Sequence, residues 1–420
     1  MLYTSYHKIS GKQVLLLSML FLGYSAHAQI MTTVAGNGTA GYNEERMATA
    51  AELSAPVGIA VGGNGTLYVA DGMNNRIRKI TQQGAISTIA GNDDPDNTGD
   101  GGPATDGQLN DPAGVATDAS GNVYIADKYN NRIRKIAPSG ILSAFAGSGV
   151  PGYAGDRGNA TAAQLKAPAG IAVDNAGNVY IADAGNNCIR KVTPAGMIST
   201  IAGNGVAGYA GDGGNATAAQ LNAPASIAVD SAGNVYIADA MNYRIRKVTA
   251  VGIIATIAGT GAAGYSGDGK MDTLAVLNLP TGIALDKAGN VYIADQGNNR
   301  IRKITTEGII STVAGSGIAG YSGDGGNALA GDMNAPYGIA VDAAGNVYVA
   351  EQENNRIRKV TPPPAASMVK NTTKTPATKN TNLPPISNPP MNNFTPTNTG
   401  YQYTPGAAPK TTTSHHKNNG

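Results

Sequence analysis

The acidic run of residues 93–100 is the segment of the chain whose residue types most resemble a metal-binding loop. It places side-chain oxygens at alternate positions, namely Asp94, Asp96, Thr98 and Asp100. Carboxylates spaced in this way are typical of calcium-binding loops. However, Pro95 interrupts the pattern, and no Glu closes it at the distance that an EF-hand needs. Asp94, Asp96 and Asp100 are therefore candidate ligands of a weak calcium site, and a solvated acidic loop is the alternative.

A second set of charged residues recurs in the pattern Asp-x-x-Asn-Asn-Arg. The carboxylate can accept backbone N–H groups and pair with the guanidinium, which would close a turn. A pair that recurs at the same place in the repeats is unlike a single catalytic centre, so we interpret it as structural. The arginines are also candidates for a binding face, because these turns should share one face of the molecule. They are Arg76, Arg132, Arg244, Arg300 and Arg356.

Tyrosines recur in the pattern Tyr-x-Gly-Asp, at Tyr153, Tyr209, Tyr265 and Tyr321, and Tyr42 lies one place out of register. They could form a ring of aromatic platforms for a glycan or a peptide. Alternatively, each ring covers its own loop and seals the gap between two repeats, since tyrosine packs readily with its hydroxyl in water. Residues 29–361 contain no Trp and only Phe145, which weakens the case for a surface that stacks on sugars.

Histidine is confined to the two ends of the chain, at His7, His27, His415 and His416. Ser-His-Asp catalysis therefore cannot be built from the residues between them. The single cysteine, Cys188, stands where other copies have Arg, so we interpret it as drift, and internal disulfides are excluded.

The elements that must position these residues are repeats of 56 residues. Six prolines mark equal steps along the chain, at Pro56, Pro112, Pro168, Pro224, Pro280 and Pro336. Each of the first five copies contains four short runs rich in Val, Ile and Tyr, separated by Gly- and Asn-containing turns. This pattern predicts four antiparallel strands per copy, and hence an all-β propeller of six blades.

The two ends of the array predict a closed ring rather than a solenoid. The last copy has only three strands before the tail, whereas residues 31–36 match a fourth strand and precede the first full copy. Pairing of strand 31–36 with the last blade would complete that blade and remove open sheet edges. A solenoid would need polar end caps, which the sequence lacks.

The repeated text Gly-Ile-Ala-Val-Asp-x-x-Gly-Asn-Val-Tyr-Ile-Ala-Asp-x-x-Asn-Asn-Arg-Ile-Arg-Lys resembles the NHL repeat. Together with the linking Tyr-x-Gly-Asp-Gly-Gly, it is similar to bacterial, teneurin-type NHL domains. The resemblance implies a six-bladed propeller but no single activity, because NHL-like propellers include lyases, lactonase relatives, receptor ectodomains and RNA binders. The lactonase-like alternative implies a calcium ion held by carboxylates in the central channel. The repeated Asp118, Asp174, Asp230, Asp286 and Asp342 are candidates for it, and ordinary turn chemistry is the other interpretation.

The remaining segments predict the domain organisation. Residues 1–28 have a basic start, a short apolar stretch and the cleavage pattern Ala26-His27-Ala28, as in a secretory signal peptide. Residues 29–361 form the propeller. The Pro-, Thr- and Asn-rich residues 362–420 are predicted to be a disordered tail.

These features predict a secreted, periplasmic or cell-surface protein, with no membrane span after signal cleavage. Because all 28 acidic residues lie between Glu44 and Glu353, the propeller carries a net charge near −5, which argues against nucleic-acid binding. We expect a monomer that binds a protein or polysaccharide through the face carrying the turns. We expect no cofactor, and calcium is the one candidate. The alternative is an enzyme of lactonase or lyase type with a carboxylate-held metal, calcium, in the central channel.

Overall fold

The repeats form short strands whose successive apolar side chains point to opposite faces of the sheet, so both faces of a blade are apolar. In the segment Val179–Asp183, Val179 and Ile181 pack toward one neighbouring blade, and Tyr180 and Ala182 pack toward the other. A strand turns successive side chains to opposite faces, so each blade buries both of its faces against its neighbours. The computed structural model describes residues 29–43 and 46–363. The predicted signal peptide and nearly all of the predicted tail lie outside them.

In the described residues, the strands form six sheets arranged in a ring, as predicted. The strands are β1 (Ile30–Ala35); β2–β5 (Pro56–Val61, Leu67–Asp71, Arg76–Ile80, Ile86–Ala90); β6–β9 (Pro112–Thr117, Val123–Asp127, Arg132–Ile136, Leu142–Ala146); β10–β13 (Pro168–Val173, Val179–Asp183, Cys188–Val192, Ile198–Ala202); β14–β17 (Pro224–Val229, Val235–Asp239, Arg244–Val248, Ile254–Ala258); β18–β22 (Lys270–Met271, Pro280–Leu285, Val291–Asp295, Arg300–Ile304, Ile309–Ala314); and β23–β25 (Pro336–Val341, Val347–Glu351, Arg356–Thr361).

These groups define blades 1 to 6 in chain order, and β1 belongs to blade 6. Blade 5 differs from the prediction because the two-residue strand β18 adds a fifth, outer strand to its sheet. Short 3-10 helices lie in the turns and the loops between blades. They span Ala48–Ala50, Gly72–Asn74, Ala104–Asp106, Ala160–Ala162, Ala184–Asn186, Ala216–Ala218, Ala240–Asn242, Asp272–Leu274 and Gln296–Asn298.

The ring closes in blade 6 through the N-terminal strand. Strand β1 pairs antiparallel with β25, with Met31 opposite Val360 and Thr33 opposite Arg358. The Met31 side chain is fully buried in the core between blades 5 and 6. The prediction of an outer strand at residues 31–36 is therefore confirmed, with a shift of one residue.

At five of the six junctions, adjacent blades are also joined by a hydrogen bond that the second Asn of the turn accepts. Its side-chain oxygen accepts the N–H of the residue that precedes the proline of the next blade. The five bonds, at 3.0–3.1 Å, run from Asp111 to Asn75, Ala167 to Asn131, Ala223 to Asn187, Ala335 to Asn299 and Ala55 to Asn355. In blade 4, Tyr243 replaces this Asn, so the side chain that would accept the Leu279 N–H is missing.

Candidate functional site

The strand order places the Asp-x-x-Asn-Asn turns, the loops between blades and the mouth of the central channel on one face, which we call the top face. The channel itself is narrow, with a cavity volume of about 70 Å³. It is lined by the first halves of the inner strands, which are the first full strand of each blade (β2, β6, β10, β14, β19 and β23). Tyr337 is the one aromatic side chain in this lining. Glycine lines the channel at Gly58, Gly114, Gly170, Gly282 and Gly338. Acidic side chains do not contribute to this lining.

The five aspartates proposed as channel ligands instead close turns between the first two strands of each blade. Asp118 accepts hydrogen bonds from the N–H groups of Ser120 and Asn122, the Asn122 amide and the Tyr124 hydroxyl. Asp174, Asp230, Asp286 and Asp342 make the same bonds in their own blades. Satisfied in this way, these carboxylates fit the interpretation as ordinary turn residues.

The aspartate of each Asp-x-x-Asn-Asn turn is structural, but its arginine partner is not the one that we expected. In blade 5, Asp295 accepts bonds from the Asn278 N–H, the Asn298 amide and, at 3.3 Å, Arg302. Arg302, two residues beyond the turn arginine, is fully buried and also pairs with Asp268 at 2.7 Å. Burial raises the pKa of Asp295 to about 6, although its hydrogen bonds lower it.

The same buried arginine recurs in every blade, as Arg78, Arg134, Arg190, Arg246, Arg302 and Arg358. Sequence reasoning missed it because two arginines two residues apart lie on the same side of a strand. A signal was present in the repeats: Cys188 replaces the turn arginine in blade 3, whereas the next arginine occurs in all six copies.

The turn arginines instead lie near the rim of the top face and stack against the repeated tyrosines. The guanidinium of Arg244 lies 3.6 Å from the ring centre of Tyr209 and donates to the Thr260 carbonyl at 2.7 Å. Equivalent stacks join Arg300 to Tyr265, Arg356 to Tyr321, and Arg76 to the out-of-register Tyr42. Arg132 lacks a tyrosine but still donates to a rim carbonyl, that of Ser148.

The repeated tyrosine rings are not buried between blades, and in most copies one face of the ring is covered by another side chain. Tyr153, Tyr209, Tyr265 and Tyr321 are 42–46% exposed. The hydroxyls of Tyr209, Tyr265 and Tyr321 donate to an aspartate of their own loop, at 2.8–2.9 Å. In these three copies the turn arginine covers one ring face. These contacts fit the structural interpretation of the tyrosines, and their role as a binding platform stays a prediction.

The candidate calcium ligands are not brought together around a common point. Asp94 and Asp96 are exposed, whereas Asp100 pairs with the buried Arg134. Throughout residues 29–43 and 46–363, groups of three or more His, Cys, Asp or Glu side chains suited to hold a metal ion are absent. The calcium loop stays a prediction.

A set of residues that the sequence analysis did not single out surrounds the channel mouth. These are the two variable positions inside each Asp-x-x-Asn-Asn turn. Their side chains include Met73, Tyr129 and Met241, which are 70%, 59% and 53% exposed. They also include Lys128, which pairs with Asp111 at 2.8 Å. The signal that could have revealed them is variation. The flanking residues are nearly constant, with an acid (Asp, or Glu351 in blade 6) before the pair and Asn after it in every copy. The pair itself differs from copy to copy, as Gly72-Met73, Lys128-Tyr129, Ala184-Gly185, Ala240-Met241, Gln296-Gly297 and Gln352-Glu353.

Among the described residues, the structure contains no helix of the length and apolar character that crossing a membrane requires.

Comparison with known proteins identifies the repeat. The family model described as the teneurin NHL domain matches residues 36–95, 91–150, 149–207, 206–266 and 261–320. Teneurin-4 of Mus musculus is 31% identical over 356 residues, which cover 73% of this chain and 12% of teneurin-4. The chain thus spans about an eighth of the length of this relative.

Two solved structures from Bacteroides thetaiotaomicron share the fold. A structural genomics protein of unknown function has a TM-score of 0.61 and 20% identity, over 80% of this chain and 76% of its own. An auxiliary nutrient binding protein has a TM-score of 0.58 and 16% identity, over 79% of this chain and 76% of its own. At these identities the likeness concerns the fold alone. From the family-model match over most of its propeller, this chain belongs to the teneurin NHL domain family.

Proposed function

We propose that this propeller is a binding module whose top face docks a protein partner around the channel mouth. The observation that carries the proposal is the ring of variable turn residues. The acid and the first Asn of each turn are buried or half-buried in hydrogen bonds, whereas Met73, Tyr129 and Met241 between them project into solvent. A rigid frame that presents variable, exposed apolar side chains is the arrangement that a specific interface requires.

The chemistry of these side chains favours a protein over a polysaccharide. Tyrosine and methionine are enriched in protein–protein interfaces, where flexible thioethers adapt to a partner. In contrast, the mouth presents a single exposed aromatic ring, Tyr129, with the Lys128 ammonium 4.7 Å from its centre. The structural likeness to a nutrient binding protein is compatible with a binding role.

The enzyme alternative is less well supported. A lactonase-like metal would need carboxylates that point into the channel, and the channel lining is formed by glycine, small and aliphatic residues, Thr281 and Tyr337. The aspartates suggested for this role are engaged in turns. We therefore keep binding as the function.

The experiment compares two surface variants of the purified chain. The top-face variant carries Met73→Glu, Tyr129→Glu and Met241→Glu. The control carries Ser139→Glu, Ala195→Glu and Val251→Glu in exposed turns on the opposite face; Val251 is 85% exposed. Partners cross-linked from cell-envelope extract to the wild type are identified and their affinities measured. The proposal predicts that only the top-face variant loses binding; equal binding by both variants contradicts it, and retention of glycans alone favours the polysaccharide.

We also propose that the chain is exported and acts in the periplasm, at the cell surface or outside the cell, with the tail as a linker. The signal-like residues 1–28 support this proposal. Cell fractionation and N-terminal sequencing test it: a mature chain beginning at Gln29 outside the cytoplasm is expected. A full-length cytoplasmic chain would be inconsistent with export.

A further inference from the structure

The turn arginine and the tyrosine of the preceding loop form a repeated guanidinium site at the outer rim of the top face. In blades 1, 4, 5 and 6 the guanidinium carbon lies 3.6–4.1 Å from the tyrosine ring centre. In blades 4, 5 and 6 the group also donates to the rim carbonyl of Thr260, Ser316 or Asn37, at 2.6–2.7 Å. The planar guanidinium suits both contacts, since it can stack on a ring and donate at its edge.

Blade 3 retains this site but lacks the arginine that fills it elsewhere. Cys188 occupies the position, and its short side chain is fully buried. The Tyr153 ring is 46% exposed, and only the inner Arg190 lies over it, at 5.2 Å. The carbonyl of Asn204, which corresponds to Thr260 of blade 4, has no hydrogen-bond donor among the described residues.

The space next to this carbonyl is open in blade 3, whereas the turn arginine fills the equivalent space in blades 4, 5 and 6. A Cβ atom placed on Gly261, Gly317 or Gly38 would collide with the guanidinium of the turn arginine. At the equivalent Gly205 the closest atom is the Asn186 carbonyl oxygen, 3.9 Å away. A cavity of about 360 Å³ adjoins this space and is lined by Tyr153, Asp156 and Asn204, among others.

We propose that blade 3 binds the guanidinium of an arginine side chain presented by a partner protein. The group stacks on Tyr153, donates to the Asn204 carbonyl, and lies near the carboxylate of Asp156, which is 40% exposed and pairs with Arg190. The other five blades cannot offer this site, because their own arginine occupies it. The site therefore gives the symmetric ring one unique position on its rim.

Arg190, which pairs with Asp156, already brings one positive charge near the site. A second positively charged neighbour that opposes binding is Arg157. It lines the same cavity and stands where the other described copies have Gly101, Gly213, Gly269 and Gly325. Its φ of +64° lies in the left-handed region that favours glycine. Reverting it with Arg157→Gly removes a nearby positive charge and leaves the acceptors of the site unchanged.

The inference deepens the proposed function, since it names a chemical group of the partner, but its test needs no partner. Binding of N-acetyl-arginine amide is measured by saturation-transfer difference NMR on the full chain. Wild type is expected to bind saturably in the millimolar range, and Arg157→Gly more tightly. Cys188→Arg, which restores the sequence of the other blades, should weaken binding about tenfold or more.

A second variant, which should create a new site in blade 4, tests the proposal even if Cys188→Arg is poorly folded. Arg244→Cys removes the resident guanidinium of blade 4 and should add a second, equivalent site. Binding that persists in a folded Cys188→Arg, or the absence of saturable binding in wild type, overturns the proposal. Equal binding of N-acetyl-lysine amide overturns its guanidinium selectivity, and much tighter binding of free arginine points to a small-molecule ligand instead. If the top-face variant keeps the cross-linked partner while wild type binds the probe as expected, the proposed function alone is refuted.

Discussion

The junction between blades 4 and 5 lacks a hydrogen bond that every other junction has, and restoring it should stabilise the ring. The change is Tyr243→Asn. The new side-chain oxygen should accept the Leu279 N–H, as Asn299 accepts that of Ala335 at 3.1 Å. One such bond contributes about 1 kcal/mol. Tyr243 also has a φ of +53°, a left-handed conformation that asparagine adopts more readily than tyrosine.

Together these effects should raise the free energy of unfolding by about 1–2 kcal/mol. With an unfolding entropy of about 2 cal/mol/K per residue over the propeller, the midpoint temperature should rise by about 2 °C. Calorimetry and urea titration measure both quantities.

Two control variants separate the two effects. Tyr243→Gly supplies a residue that accepts the backbone conformation but has no side-chain oxygen. Asn299→Ala removes the existing bond at the next junction and should cost about 1 kcal/mol. If Tyr243→Asn is no more stable than Tyr243→Gly, the junction bond does not contribute and the reasoning is refuted.

Three further predictions concern buried groups. Met31→Ala should lower the free energy of unfolding by about 2–5 kcal/mol, because it leaves a cavity at the ring closure, whereas the exposed Met197→Ala should change it little, as denaturant titration can show. Arg246→Leu should cost about 3–5 kcal/mol, because it leaves the buried Asp239 carboxylate without its cation; a cost below about 1 kcal/mol would contradict this assignment. Burial raises the pKa of Glu351 to about 7, so the folded state binds its proton more tightly than the unfolded state. Its contribution to stability is therefore complete below about pH 4.5 and is lost as pH rises through 7; Glu351→Gln should flatten this part of the pH–stability curve, and an unchanged curve would show that Glu351 does not titrate there.

The fold was accessible from the sequence because the repeat encodes it six times. The spacing of the prolines gave the number of blades, and the unmatched strand at residues 31–36 gave the closure. The extra strand β18 was missed because a two-residue strand leaves no periodicity to detect.

The candidate site was accessible only in part. The Asp-x-x-Asn-Asn-Arg pattern located the top face, but it did not show which arginine reaches the aspartate. Which arginine reaches the aspartate depends on how each long side chain is held. In blade 4, Arg244 donates to the Asn242 and Thr260 carbonyls at the rim. Arg246 therefore pairs with Asp239. The exposure of Met73, Tyr129 and Met241 depends equally on the hydrogen-bonded frame beneath them.

The position of the ring closure has a consequence for how such a chain can change in length. Blade 6 combines strand β1 from the start of the array with strands β23–β25 from its end. Deleting or duplicating one internal 56-residue unit would therefore remove or add a whole blade and leave the pairing of β1 with β25 unchanged. What resists such a change is the channel wall, where Gly58, Gly114 and Gly338 lie so close to the neighbouring inner strand that a Cβ atom would meet its backbone. The close approach of these strands depends on the angle between neighbouring blades, which a ring of five or seven blades would change.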